Sequence, residues 1–247
     1  MIMYHGTYGM AAKNMAKEGI KAKPPDRNYS EDDPDNYHIA SLDGAYFTNQ
    51  LHVAVGYAFK ASETRGDWCA VITANVPLTK AVPDEDVVTS ALQQAERETR
   101  DPDAFARAFH RNLVQDRPIP IRSDLMVKVR NAFAQLEAAE DDKSLLKSVR
   151  RYRQALDQMT RAYAAMVFDT HPVYLGGNHT VRLPRGLSPT NILSITQFSI
   201  NFPQEDDGGD YGADYPQAKH VMALLGQPFS REQLQDAIDE LYQQDFF

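Results

Sequence analysis

Three short stretches hold residue types that could do chemistry together. The first is Tyr4-His5-Gly6-Thr7, the second Gly44-Ala45-Tyr46-Phe47-Thr48 with Ala54 and Tyr57 downstream, and the third Asn178-His179-Thr180-Val181-Arg182-Leu183. A histidine beside a glycine offers a ring nitrogen as donor or acceptor, while the missing Cβ lets a ligand approach main-chain N–H and C=O groups closely. That combination suits an amide or a sugar hydroxyl. Tyr46 and Tyr57, eleven residues apart, could present two aromatic faces to one cleft and hold a flat ring between them. A cationic ring would gain further from the π faces.

Met1 to Tyr4 is apolar and followed by Gly6, which predicts a strand entering a turn. A helix is expected from about Gly9 to Lys17, closed by Gly19. Residues 23 to 43, rich in Pro, Asp, Asn and Ser, form a long loop, of a length that is commonly functional. Ala45 to Thr48 reads as a strand, Leu51 to Ser62 as a helix and Trp68 to Val76 as a buried strand. Residues 86 to 168 are expected to be helical, in four segments broken near Asp101–Pro102 and Pro118–Ile119–Pro120. In the last of these, Leu145, Val149, Tyr152, Leu156, Met159, Tyr163 and Met166 recur at steps of four and three, a coiled-coil-like seam. It should pack on Leu125–Ala139 as a hairpin turned at Glu140–Asp142. Strand signals resume at Val173–Leu175, Thr180–Leu183 and Asn191–Phe198. Ser199 to Tyr215 reads as a linker, and Ala218–Leu225 and Arg231–Gln243 as two short helices, the second capped by Ser230.

Nicotinamide in NAD⁺ is flat, cationic and carries a carboxamide, and the order and spacing of the three stretches resemble the ADP-ribosyltransferase superfamily. The branch resembled is the diphtheria-toxin and poly(ADP-ribose) polymerase-like one, of His-Tyr-Glu type. The resemblance covers about Met1–Leu78 and Val173–Phe198. It implies an α+β fold: a split β-sheet core with a large all-helical insertion and a short helical acidic C-terminal tail. Residues 1–82 and 169–204 would form the catalytic core, 83–168 the helical insertion and 205–247 the acidic linker and C-terminal helices. It also implies that His5 hydrogen-bonds the adenosine ribose of NAD⁺, that Gly6 grips the carboxamide through its main chain, and that Tyr46 and Tyr57 sandwich the nicotinamide. Thr7 and Phe47 complete the implied NAD⁺-binding set, with NAD⁺ as co-substrate. In the family a glutamate occupies the third motif. Here His179 stands there, and no Asp or Glu lies between Asp169 and Glu205. A neutral His179 could accept a hydroxyl proton, whereas a cationic one would oppose positive charge developing on the sugar.

The expected activity is therefore transfer of a single ADP-ribose to a macromolecular acceptor, protein or nucleic acid, with the segment from Pro24 to Asp43 covering the donor. Two alternatives stand beside it: an RNA 2'-phosphotransferase-like enzyme on a related His-Gly-Thr scaffold, which needs arginines near the phosphate and has only Arg182 and Arg185, and an inactive NAD⁺- or partner-binding module. The layout is compatible with a bacterial or phage effector or toxin. The remaining histidines lack metal-ligand spacing and Cys69 has no cysteine partner, so no metal is expected. There is no Walker loop, dinucleotide glycine fingerprint or Gly-x-Ser-x-Gly elbow. No run approaches the roughly 20 apolar residues that span a bilayer, so no membrane partner and a cytoplasmic location are expected. Net charge is -8, concentrated after residue 204. Lys143 to Phe168 is instead basic, and Arg150, Arg151 and Arg153 are candidates for a polyanion contact.

Overall fold

The opening strand does not turn at Gly6. It runs on through Thr7 in an unbroken antiparallel register with a partner strand, from Ile2 opposite Asn75 to Tyr8 opposite Cys69. Gly6 is thus a mid-strand residue, a correction to the strand-then-turn reading. The computed structural model describes residues 1–22, 42–114, 119–167, 180–201, 216–227 and 229–244. Among them, in chain order, come β1 (Ile2–Tyr8), α1 (Gly9–Glu18), β2 (Ala45–Thr48), α2 (Leu51–Arg65) and β3 (Cys69–Asn75). Next are β4 (Val82–Pro83), α3 (Glu85–Glu98), α4 (Pro102–Val114), α5 (Ser123–Glu137), α6 (Asp142–Ala162) and β5 (Thr180–Leu183). The chain closes with β6 (Ile192–Asn201), β7 (Gln217–Leu225) and α7 (Arg231–Gln243). The fold is α+β, with its strands paired antiparallel. No helix among the described residues is long and apolar enough to cross a membrane. The expected strand Val173–Leu175 and the greater part of the 23–43 loop lie outside the described residues.

The chain divides into two units. The first comprises Met1–Ala22, Ala45–Pro77 and Gly186–Phe247. Its strands run in the order β2-β1-β3-β6-β7. One face is covered by α2 and α7, where Ala54, Val55 and Ala58 meet Val71, Phe198, Leu234, Ala237, Ile238 and Leu241 in a buried cluster. The apolar positions of α7 fall at i, i+3, i+4 and i+7, one stripe of a helix. Ser230 caps that helix as expected, in a reciprocal pair with Gln233.

Two tail expectations need correcting. Ala218–Leu225, expected to be helical, lies within β7, in register with β6 from Asn201–Gln217 to Ile195–Leu225 with two register shifts. Its Ala, Lys, Met and Leu residues favour a helix intrinsically. The outer edge of the ten-residue β6 presents main-chain groups that need partners, and that pairing wins. The expected linker likewise begins late, since Ser199 to Asn201 belong to β6.

The second unit comprises Lys23–Gly44 and Leu78–Arg185. Helices α3 to α6 enclose a core that includes Leu92, Phe109, Met126, Phe133, Tyr152, Leu156, Met159 and Tyr163. The four-and-three seam of α6 is the side that is buried, and Asp141 and Ser144 form a reciprocal cap where the α5–α6 hairpin turns. β4 was not expected. Two residues, Val82 and Pro83, pair with Arg182 and Val181 of β5.

Arg182 organises this unit. It is 1% exposed. Its guanidinium donates to Asp43 O at 2.7 Å, Asp157 Oδ1 at 2.8 Å and Thr160 Oγ1 at 2.9 Å. Its Nε lies 3.4 Å from Glu85 Oε2, and the other oxygen of Glu85 accepts from Leu42 N at 2.8 Å. Burial pulls the Asp157 carboxyl up, but hydrogen bonds from Arg161 and Arg182 hold it below the usual range. Asp84 caps α3 and is raised by burial, against a hydrogen bond from Thr180; Asp86 is pushed up to about 6 by burial and by the charge on Asp84. Removing the guanidinium would strand Glu85 in the interior. Arg182→Ala is therefore expected to cost about 3–5 kcal/mol of unfolding free energy, and Arg161→Ala, at an exposed pair, less than about 1 kcal/mol. Urea titration of the two variants checks the difference.

Candidate functional site

Main-chain directions in β1 follow from its end pairings. Met1 and Val76 exchange hydrogen bonds, Val76 N to Met1 O at 2.8 Å and Met1 N to Val76 O at 3.0 Å, and Gly9 N donates to Trp68 O at 2.8 Å. Partner residues in an antiparallel ladder alternate between bonded and non-bonded pairs. His5 and Thr7 therefore direct their N–H and C=O at β3, while Tyr4, Gly6 and Tyr8 direct theirs to the opposite side, toward β2. On that side the only register pair is Tyr4–Thr48.

The next rung of such a ladder would join Gly6 to Tyr46. No such register pair forms; instead His5 Nδ1 lies 2.8 Å from Tyr46 O. A carbonyl can only accept, so Nδ1 carries the hydrogen and Nε2 of the neutral ring carries a lone pair. Burial lowers the His5 pKa below its ordinary value of 6.5, outweighing the bond to Tyr46 that raises it. The ring is thus neutral at physiological pH. Phe47, 1% exposed, tilts against it with centroids 5.7 Å apart. Gly6 directs its donor and acceptor to the β2 side at the point where the β1–β2 register pairs stop.

The glycine has a second reason to be there. A Cβ on Gly6 would meet Ala54 O at 2.0 Å and Ala58 N at 2.7 Å, so α2 lies directly on β1 at this point. Ala54 and Ala58 are small enough to allow that approach, and both are fully buried. Tyr57 sits between them in sequence and is 43% exposed. Alternation from the Tyr4–Thr48 pair puts Tyr46 on the α2 side of the sheet and Phe47 on the side of His5. The structure thus joins the imidazole to the main chain of Tyr46 and to the ring of Phe47. It does not stack the imidazole with the two phenols; Tyr46 and the helix bearing Tyr57 share the other face.

Other site expectations divide. Thr7 is buried and its main chain is committed to β3. His179 lies outside the described residues. Gly44 is pinned by packing, since a Cβ there would come within 2.5 Å of Arg182 Cγ. Arg182 itself was read only as one of two arginines available to a phosphate. The tetrad of oxygens around its guanidinium could not be found from spacing, because Asp43, Glu85, Asp157 and Thr160 are scattered along the chain. Among the described residues no cluster of three or more His, Cys, Asp or Glu side chains is placed to hold a metal ion.

No protein-family model, curated protein or solved structure matches the chain.

Two measurements follow from this geometry. Gly6→Ala must displace α2 from β1 and is expected to lower the thermal midpoint by several degrees, on the order of 1–3 kcal/mol for overpacking, whereas Gly66→Ala has open space around it but a φ of 60° and is expected to lose about 1–2 kcal/mol from backbone strain alone. The His5 pKa is expected below 6.5 when read by NMR of the imidazole. With the folded value depressed, the unfolded chain takes up its proton first, so the stabilisation from neutral His5 is complete above the ordinary value and is lost as pH falls from there through the folded value.

Proposed function

We propose that this chain binds NAD⁺ at the β1–β2 gap and transfers a single ADP-ribose from it to a macromolecular acceptor. The observation carrying the reading is the missing register pair between Gly6 and Tyr46: Gly6 turns an N–H and a C=O toward the β2 side, where His5 Nδ1 bonds the Tyr46 carbonyl. A carboxamide has the matching pair, an oxygen to accept from Gly6 N–H and an NH₂ to donate to Gly6 C=O. Two such bonds fix the plane of the nicotinamide ring. Tyr46 and Tyr57 belong to the α2 side of this gap, where their rings can flank a flat cation. The lone pair on His5 Nε2 suits a ribose hydroxyl as donor, in keeping with the family resemblance.

The reaction breaks the bond between nicotinamide nitrogen and ribose C1'. The bonding electrons leave with nicotinamide and neutralise its ring, positive charge develops on the sugar, and a nucleophile on the acceptor forms the new bond at C1' as it loses its proton. His5 held neutral adds no opposing charge to that transition state. His179, where the resembled family has glutamate, would contact the nicotinamide-side ribose in this reading. Transfer of one ADP-ribose, without chain elongation, accords with the absence of that carboxylate.

The RNA 2'-phosphotransferase reading needs arginines at a phosphate. Arg182 is buried with its guanidinium occupied by four oxygen partners, leaving Arg185, which is exposed. That favours the NAD⁺ reading over it.

The test is incubation of the full chain with NAD⁺ labelled on the adenylate, measuring released nicotinamide and label on protein and nucleic-acid fractions. His5→Ala and Tyr46→Ala are expected to lower turnover by roughly 100-fold or more, equivalent to about 2.7 kcal/mol, while far-UV circular dichroism stays unchanged. His179→Glu should leave NAD⁺ hydrolysis unchanged or raise it. Absence of NAD⁺ binding by calorimetry at millimolar nucleotide sinks the proposal; binding without turnover reduces it to a binding module.

A further inference from the structure

The six cations between Lys143 and Phe168 fall into two groups once folded. Arg153 and Arg161 face carboxylates, Arg153 lying 3.8 Å from Asp43 Oδ1 and Arg161 2.7 Å from Asp157 Oδ2. Lys143, Lys147, Arg150 and Arg151 are all exposed, and Arg151 donates to a neutral amide, Gln135 Oε1, at 2.9 Å. At about 100° per residue, Lys143, Lys147, Arg150, Arg151, Gln154, Gln158 and Arg161 occupy one stripe roughly 100° wide on α6. Every one of these positions is basic or an amide. From α5, Lys128 reaches the stripe by a hydrogen bond to Gln158. Carboxylates flank the stripe at Asp157, engaged by Arg161 and Arg182, at Glu140, Asp141 and Asp142 of the hairpin turn, of which Asp141 caps the helix, and at Asp124 of α5, one turn from Lys128 and bound by Arg122.

A helix face that only needs solvation alternates its signs, because opposite charges four residues apart support it and like charges cost about 0.2–0.5 kcal/mol per pair. Lys143–Lys147 and Lys147–Arg151 are both like pairs at that spacing. The stripe thus spends helix stability on a line of positive charge about 12 Å long from Lys143 to Arg151.

We propose that this α6 stripe docks the phosphodiester backbone of a nucleic acid. A regular line of cations fits a polymer with regularly repeated anions, and the interleaved Gln side chains can reach sugars and phosphates. An anionic membrane fits less well: interfacial helices bury an apolar face in lipid, and the apolar face of α6 is consumed by the helical core. Joined to the NAD⁺ reading, this names nucleic acid as the acceptor class, and that step rests on the reading above.

Fluorescence anisotropy of the full chain with labelled 20-nucleotide single strands and duplexes, of DNA and RNA, tests the surface with no NAD⁺ present, so its failure is separate from any failure of the transferase assay. Binding in 50 mM salt is expected, with a log–log salt slope near −3 for single strands if four phosphates are met. Changing Lys143, Lys147, Arg150 and Arg151 together to Gln should weaken it at least 10-fold and flatten the slope toward −1 or less. A charge-matched control, Lys13, Lys17, Arg97 and Arg107 to Gln, should retain it. Circular dichroism verifies that both variants are folded. No binding, equal loss in the control, or equal capture of polyglutamate or phosphatidylserine vesicles overturns the proposal.

Discussion

A hydrogen bond of 2.8 Å between an imidazole and a main-chain carbonyl determines what the β1–β2 gap can be. Strands that part inside a fold leave carbonyls and amides without ladder partners, and an unmade bond at a buried polar group costs on the order of 1–3 kcal/mol. His5 supplies a donor for Tyr46 O from its side chain. Three properties follow together: the tautomer is fixed, desolvation at this half-buried position favours the neutral ring, and the main-chain pair of Gly6 points where the ladder would have continued. An asparagine at position 5 could donate to the same carbonyl, but it would not place a second, accepting nitrogen on the far side of a rigid ring.

Close approach is the other constraint on the first unit. At Gly6 the helix α2 comes so near β1 that a methyl group would overlap the backbone at Ala54. Small residues at Ala54 and Ala58 let the helix settle on β1, and Tyr57, between them in sequence, stays 43% exposed. A large side chain there would raise the helix and carry Tyr57 away. The glycine of the second motif works differently: Gly44 yields room to the aliphatic stem of Arg182, whose guanidinium then reaches Asp43 O. Both motif glycines are thus explained by packing before any ligand is considered.

Helical periodicity made much of the second unit legible: the seam of α6, the break at Pro102 and the hairpin at residues 140–142 all repeat local signals that the packed structure also satisfies. Ser230 was legible for the same reason, since a cap is chosen by its own helix. The strands were harder. Gly6 looks like a turn because glycine usually relieves a backbone constraint, whereas here it relieves a steric one from a helix some fifty residues away. β7 looks helical because its partner, the edge of β6, is invisible in its own composition. β4 holds two residues, too few to carry a period. For the candidate site, residue types and spacing single out His5, Gly6, Tyr46 and Tyr57 but not the bond from the His5 side chain to the Tyr46 carbonyl, since that requires knowing which way each peptide faces.

The arginines show how far folding can separate residues that a sequence groups together. Arg150, Arg151 and Arg153 are near neighbours in one basic run, yet a helix turns Arg153 about 60° beyond Arg150, enough to bring it 15% exposed against Asp43, while the other two face outward. Arg182, from a separate strand, lies wholly inside, where Asp43 O, Asp157 and Thr160 accept from its terminal NH groups and Glu85 stands beside Nε as a counter-charge. A guanidinium is costly to bury alone and cheap to leave in water, so its position is set by the oxygens within reach. Summed charge over a segment therefore overstates a binding surface by whatever share the fold neutralises. What remains on α6 after that subtraction is a line of Lys143, Lys147, Arg150 and Arg151 with no carboxylate ion pair among the described residues, a distribution that the packing of α3 to α6 does not require.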